Sequence, residues 1–244
     1  MSKITIFYWM DFVCPYCYIA KQKMKNLMQE LNISDKFKFK LLSYELDPKA
    51  PKKRELNIIE NFAKKYSMSL EQAKQNVEDI NKLGKAEGIY FKYETCQGGN
   101  SFNAHRLVKY ISKKCNYENT EKIINLLYDA YFTKNLLISD ENVLINLGIE
   151  VGCTREELQN FLKSDELSKE VRQDEDEAKL KGINGVPYFI INKEVIIGAS
   201  SKKRMKNVML RALNKKEEKE EIKVKEGHSE GFYFNETECK LNKK

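Results

Sequence analysis

A chain of 244 residues with 41% hydrophobic and 11% aromatic residues is long enough for one large domain, or for a small domain carrying an insertion. No apolar run approaches the roughly 18 residues of a membrane span, and the first residues lack the basic region, apolar core and small-residue cleavage site of a signal peptide. The net charge of +7 comes from lysines spread along the whole chain without any helix-turn-helix, finger or RNA-binding pattern, so neither nucleic acid nor membrane is an expected partner.

The first predicted element is a short apolar strand over residues 3 to 9, with Ile4, Ile6, Phe7 and Trp9. Cys14-Pro15-Tyr16-Cys17 follows and opens a helix over about 15 to 31, with Ile19, Ala20, Met24, Leu27, Met28 and Leu31 at helical spacing. Phe37, Phe39 and Leu41 alternate with Lys36, Lys38 and Lys40, which reads as a second strand running to Leu46. Pro48 and Pro51 mark a change of regime. From roughly 55 to 181 the pattern is helical throughout, with Leu126, Leu127, Ala130, Tyr131 and Val143, Leu144, Leu147 as apolar sets. Ser69 with Gln72 and Thr154 with Glu157 fit capping boxes, and Gly88 and Gly182 fit helix terminators. Gly185-Val186-Pro187 then leads into an apolar strand, Tyr188 to Ile191, followed by Val195-Ile196-Ile197 and a last helix near 201 to 214. A proline is confined to the first residue or the edge of a strand. Beyond Leu213 the sequence is charged and reads as an extension of that helix fading into a mobile tail. That tail nevertheless holds Phe232-Tyr233-Phe234 and Cys239. No period of 20 to 50 residues repeats.

The Cys14–Cys17 pair carries the chemistry. At a helix start the free N–H groups and the macrodipole favour an anion, so the Cys14 thiol is expected to ionise more easily than a free one. Pro15 fits the first turn, where its missing N–H is no loss. Cys17 lies one turn on, placed to attack a mixed disulfide on Cys14, and the expected reaction is thiol–disulfide exchange. A zinc half-site is the competing reading, but no second CxxC is present and the chain has only two histidines, so no metal is expected. Two inert buried cysteines is another, and a proline between them at a helix start argues against it. Six cysteines scattered through a chain of this length point to a reducing cytoplasm rather than a secreted disulfide scaffold.

The blocks Asp11-Phe12-Val13-Cys14-Pro15-Tyr16-Cys17-Tyr18-Ile19, Ser101-Phe102-Asn103-Ala104-His105-Arg106-Leu107, Ala130-Tyr131-Phe132 and Gly182-Ile183-Asn184-Gly185-Val186-Pro187-Tyr188-Phe189 stand in the order of a known family. On them the chain resembles the DsbA-family thioredoxin-like oxidoreductases, in their cytoplasmic FrnE-like branch. The resemblance implies an α/β thioredoxin-like fold, β-α-β then β-β-α, with a large all-α helical insertion. Its first part would span 1–48, the insertion 49–181, the second part 182–214 and the charged tail 215–244. It further implies Cys14 as nucleophile, Cys17 as resolving thiol and Pro187 as a cis-proline facing them. Tyr16, Val186, Pro187 and His105 are expected around the substrate. Tyr16, as in the Pro-Tyr dipeptide of glutaredoxins, implies a potential on the order of −200 to −230 mV. The partners implied are disulfide-containing proteins or peptides and small thiols. No tightly bound cofactor is expected, with glutathione or another thiol as redox partner.

Two alternatives share the fold. A glutathione-dependent transferase or isomerase, like the kappa-class transferases and 2-hydroxychromene-2-carboxylate isomerases, characteristically has serine at the first motif position, whereas both cysteines are present here. A peptide-binding, chaperone-like role would leave the cysteines secondary. Among other residues, His105 is read either as a proton carrier beside Cys14 or as a hydrogen-bonded structural histidine. Arg106 is expected on the surface or in an ion pair. Cys96, in a polar Gly-rich stretch, is expected to be exposed, Cys115 to be buried on an apolar helix face, and Cys153 to be a small packing or capping residue. Some FrnE-like proteins carry a C-terminal C-x4-C pair, but position 234 here is phenylalanine and position 244 lysine, which leaves Cys239 without a partner.

Overall fold

The computed structural model describes residues 3–213. Its α/β part begins with β1 (Ile4–Met10), α1 (Pro15–Glu30) and β2 (Phe37–Ser43), and ends with β3 (Tyr188–Ile191), β4 (Glu194–Ile197) and α9 (Lys202–Ala212). Between β2 and β3 lie α2 (Ile58–Lys65), α3 (Leu70–Ala86), α4 (Phe102–Lys114), α5 (Tyr117–Phe132), α6 (Glu141–Ile149), α7 (Arg155–Lys163) and α8 (Ser168–Leu180). The four strands form one mixed sheet in the order β2-β1-β3-β4. β1 pairs in parallel with β2, Ile4 opposite Phe37, and antiparallel with β3, Tyr8 opposite Phe189. A parallel neighbour needs a crossover connection, and α1 supplies it. β3 and β4 need only the turn at Asn192-Lys193, where Asn192 takes the left-handed φ of 56° that suits a tight hairpin.

Successive strand residues face opposite sides of a sheet, and β1 makes this visible. The Tyr8 hydroxyl donates to the Cys17 carbonyl of α1, while the Trp9 indole N–H donates to the Asp174 carbonyl of α8 at 3.1 Å. Helices therefore cover both faces, and β1 is fully buried from Tyr8 to Met10. β2 alternates as its sequence predicts, Phe37 and Phe39 inward and Lys38 and Lys40 outward. Its last residue, Ser43, donates its N–H to the Asp174 carboxylate at 2.7 Å, which fastens α8 to the sheet.

The helical segment obeys the local signals. Both anticipated capping boxes form at Ser69 and Thr154, and a third forms at Asn57 with Glu60. Gly88 and Gly182 adopt φ of +83° and +69° just past α3 and α8, where the N–H groups of Ile89 and Ile183 reach back to Gly84 and Ala178. Among the described residues no helix is long and apolar enough to cross a membrane. The charged tail and Cys239 lie outside the described residues.

Candidate active site

The site forms where α1 begins. Met10 closes the strand, and the turn at Asp11 to Val13 delivers Cys14 as the residue before the helix, with an extended backbone and Pro15 in the first turn. The Cys14 and Cys17 N–H groups donate to the Asp11 and Cys14 carbonyls at 3.2 and 3.1 Å, which winds the motif into helix. Both thiols are free and fully buried. The Val186–Pro187 peptide bond is cis, and the Cys14 thiol donates to the Val186 carbonyl at 3.7 Å. Two segments far apart in the sequence therefore meet at the Cys14 sulfur. Pro187 is buried at the entry to β3, and its carbonyl accepts the Gly198 N–H at 2.8 Å from the end of β4. Tyr16 is almost wholly buried.

Cys17 sits deeper. Burial first, then the hydrogen bond and charge of Cys14, hold its thiol well above the ordinary cysteine range; the Asp11 charge pushes the same way, and the Asp11 N–H opposes it. Tyr8 joins the site by donating to the Cys17 carbonyl, and its hydroxyl lies 3.2 Å from that of Tyr128 on α5. Tyr93, in the single helical turn Tyr93–Thr95, is a third buried phenol, packed against Phe62, Phe91 and Phe132. Burial raises all three phenols well above the usual tyrosine range, with the neighbouring cysteines adding to it. All three thus stay uncharged at neutral pH, and Tyr8 and Tyr128 share a hydrogen bond. Nothing in the sequence pattern marks them, because an aromatic residue in an apolar strand or helix reads as core; the only available signal is that a buried tyrosine hydroxyl needs a partner.

Asp11 ties the site together. One carboxylate oxygen accepts the Leu46 N–H at 2.7 Å and the other the Val13 N–H at 3.3 Å. His105, fully buried on α4, places Nε2 3.6 Å from Oδ1 of Asp11 and its ring 4.9 Å from that of Phe12. Neither ring nitrogen has a hydrogen-bond partner within the described residues. His105 is therefore not the hydrogen-bonded structural histidine of one sequence reading. Nor is it open to a substrate in this conformation. Beside it, Glu45 accepts from Asn100 at 3.2 Å and from Arg172 at 2.6 Å, and Arg172 also reaches Glu175 at 2.6 Å. Burial raises the Glu45 carboxyl, while His105 and Arg172 oppose that.

Three expectations need correction. Arg106 is neither on the surface nor in an ion pair: it is 3% exposed and donates to the carbonyls of Phe161, Ser164 and Glu166 at 3.2, 2.6 and 2.9 Å. Its guanidinium lies 4.9 Å from the Phe161 ring, so it ties α4 to the connection after α7. Cys96 is buried rather than exposed, because the Gly-rich stretch folds inward and its thiol donates to the Tyr131 carbonyl at 3.1 Å; burial pushes it up to about 12. Cys115 is only half-buried, since it sits one residue past the apolar face of α4 as its C-cap. Among the described residues no three His, Cys, Asp or Glu side chains converge as a metal site would require.

A family model for the DSBA-like thioredoxin domain matches residues 5–209. Among solved structures, the chain is similar to one from Streptomyces coelicolor described as a "probable DsbA oxidoreductase", with TM-score 0.80, 24% identity, and 91% of this chain and 94% of that one covered. It is also similar to 2-hydroxychromene-2-carboxylate isomerase, with TM-score 0.67, 15% identity and coverage of 86% and 97%. The cytosolic disulfide reductase DsbM from Pseudomonas aeruginosa matches with TM-score 0.54, 12% identity and coverage of 86% and 96%. No curated protein sequence matches the chain significantly. At these identities the solved structures speak for the fold, whereas the family model spans most of the chain: it belongs to the DSBA-like thioredoxin domain family.

Proposed function

We propose that this chain is a thiol–disulfide oxidoreductase working through Cys14 and Cys17. The observation that carries the reading is the meeting of the Cys14 sulfur, at the N-terminal end of α1, with the Val186 carbonyl beside the cis bond to Pro187. The Cys14 thiolate attacks one sulfur of a substrate disulfide and expels the other as a thiolate. The mixed disulfide lies against the Val186–Pro187 backbone, next to Tyr16. Cys17 then attacks the Cys14 sulfur, its proton leaves with the displaced substrate thiol, and the Cys14–Cys17 disulfide forms. The substrate has gained two electrons and two protons. With an oxidised enzyme the same steps run backward, and the surrounding redox poise sets the direction.

Both thiols are covered in this conformation, so a bulky substrate reaches Cys14 only after local opening. A small thiol is the natural recycling partner, and glutathione fits that part. Its support is by analogy, since DsbM, which shares the fold, has been solved with GSH and is cytosolic. A cytoplasmic setting belongs to the same reading, and no tightly bound cofactor enters the cycle.

Insulin reduction by dithiothreitol tests this, comparing the wild type with Cys14→Ser and Cys17→Ser. The expected result is activity abolished by Cys14→Ser and a trapped mixed disulfide in Cys17→Ser. Wild-type inactivity with an oxidisable Cys14–Cys17 pair would instead favour a glutathione-dependent transferase or isomerase, or a peptide-binding role.

A further inference from the structure

Cys115 and Cys153 lie far apart in the sequence but come together in the fold. Cys115 is the C-cap of α4, fixed by its N–H bond to the Ile111 carbonyl at 2.8 Å. Cys153 follows the turn between α6 and α7, where Gly152 takes a φ of +95° and the Cys153 N–H returns to the Gly148 carbonyl at 3.2 Å. The Val151 carbonyl in that turn accepts from the Asn119 amide at 3.1 Å and from the Cys115 thiol at 4.0 Å. The two thiols lie close enough to act on each other electrostatically, Cys115 helping to raise Cys153. Both thiols are free, one half-buried and the other 6% exposed. The end of α4 and the α6–α7 turn thus bring the two cysteines into one neighbourhood without any covalent link. A disulfide forms only between cysteines that already lie close, and the contact of the Cys115 thiol with the turn two residues before Cys153 supplies that approach.

We propose that Cys115 and Cys153 are a second thiol–disulfide couple, closed and opened by exchange with a low-molecular-weight disulfide such as oxidised glutathione. Cys115, the more exposed, attacks the small disulfide and releases one thiolate. Cys153 then attacks the Cys115 sulfur, releases the second thiol, and leaves the Cys115–Cys153 bond; its proton goes to the departing thiol. The two cysteines lose two electrons and two protons, and one small disulfide becomes two thiols. Cys153 is the natural second reactant, since burial, with the adjoining Cys115 and Glu157, pushes its thiol up to about 11. The closed bond staples the C-terminal end of α4 to the α6–α7 turn. His105 sits on the same helix, ten residues or about 15 Å along it.

The test uses the full chain, both as wild type and as the Cys14→Ser, Cys17→Ser variant, equilibrated with oxidised and reduced glutathione from reducing to oxidising ratios. Free thiols are then blocked with N-ethylmaleimide, and tryptic peptides are read by mass spectrometry. The expected result in both proteins is a linked pair of Cys115 and Cys153 peptides, lighter by two hydrogens, growing with the oxidising ratio. In Cys153→Ser, Cys115 should instead stay glutathionylated until a reductant is added. The proposal is overturned if Cys115 and Cys153 both remain alkylated at ratios that oxidise Cys14–Cys17. It is equally overturned if Cys115 links to Cys239. Detection in the variant lacking Cys14 and Cys17 is independent of whether those two residues are catalytic.

Discussion

Lys21 lies one turn beyond Cys17 on α1 and is buried as deeply, with 2% of its side chain exposed. Its ammonium faces Glu121 at 3.0 Å, the Asn125 amide oxygen at 3.4 Å and the Phe39 ring at 5.7 Å. Burial outweighs the attraction of Glu121 and lowers the Lys21 pKa from its ordinary 10.5 to about 8. Glu121 is less deeply buried and has two lysines, Lys21 and Lys25, which overcome its own desolvation and hold its carboxyl below the usual range. The folded pKa of Lys21 is thus below the unfolded one, so the unfolded chain binds more protons between about pH 8 and about pH 10.5, and stability contributed by this site rises with pH across that window. The penalty for keeping the ammonium charged is on the order of 3 kcal/mol at neutral pH, and roughly 2 kcal/mol of it should be relieved between about pH 7.5 and about pH 10. Lys21→Met removes the titrating group, while Glu121 stays ionised throughout and adds no slope of its own. The buried tyrosines and thiols titrate in both proteins and cancel in the difference. Urea unfolding of wild type and Lys21→Met at the two pH values should therefore show the wild type gaining about 2 kcal/mol on the variant. Parallel pH profiles would refute the reasoning.

Three further predictions concern the site and its frame. Tyr8→Phe removes the hydroxyl shared by the Cys17 carbonyl and Tyr128 and should cost about 1 to 3 kcal/mol in urea unfolding, because the carbonyl loses a buried partner. Arg106→Ala strips donors from three main-chain carbonyls and should cost about 3 kcal/mol or more, with Arg106→Lys recovering only part of it for want of the planar fork. Asp11→Asn takes away a negative charge that helps keep Cys17 protonated. In a Cys14→Ser background the pH profile of Cys17 alkylation should then move to lower pH, and an unmoved profile would remove Asp11 from the account.

What was legible in the sequence is what local physics writes there. A period of two marks β2 through Phe37, Lys38, Phe39 and Lys40, and a capping residue with its partner three places on marks α3 and α7. A glycine past the last helical turn marks the ends of α3 and α8. Cys14–Cys17 and Val186–Pro187 were readable as two fragments because each stands in a recognisable strand or helix context. The rest depends on contacts across long stretches of chain, which no periodicity records. Lys21 occupies a position in the apolar stripe of α1, yet lysine reads as solvated until Glu121 is brought against it. Cys96 follows a polar, glycine-rich rule for loops that the Tyr131 carbonyl overrides. Cys115 and Cys153 have no spacing signature at all, since the α6–α7 turn that joins them is assembled only in three dimensions.

The same distinction explains why the site needs both the sheet and the helices. Burying a carboxyl group costs several kcal/mol unless its oxygens find donors, and Asp11 finds two backbone donors, with the His105 ring 3.6 Å away on a third side. Val13 belongs to the turn before α1, Leu46 to the chain leaving β2, and His105 to α4. Each contact is worth making only if the other two segments are in place, because a single backbone donor falls short of that desolvation cost. The carboxyl group therefore couples the position of the CxxC turn to the position of α4, and α4 is itself fastened by Arg106 to the connection after α7. Tyr128 does the same from α5 through Tyr8. A sheet with α1 and α9 would present the two thiols and the Val186 carbonyl but would leave Asp11 facing water on the side that His105 now fills. The surroundings that raise the Cys17 thiol are thus made jointly, by a strand–turn–helix unit and by helices inserted far from it in the chain.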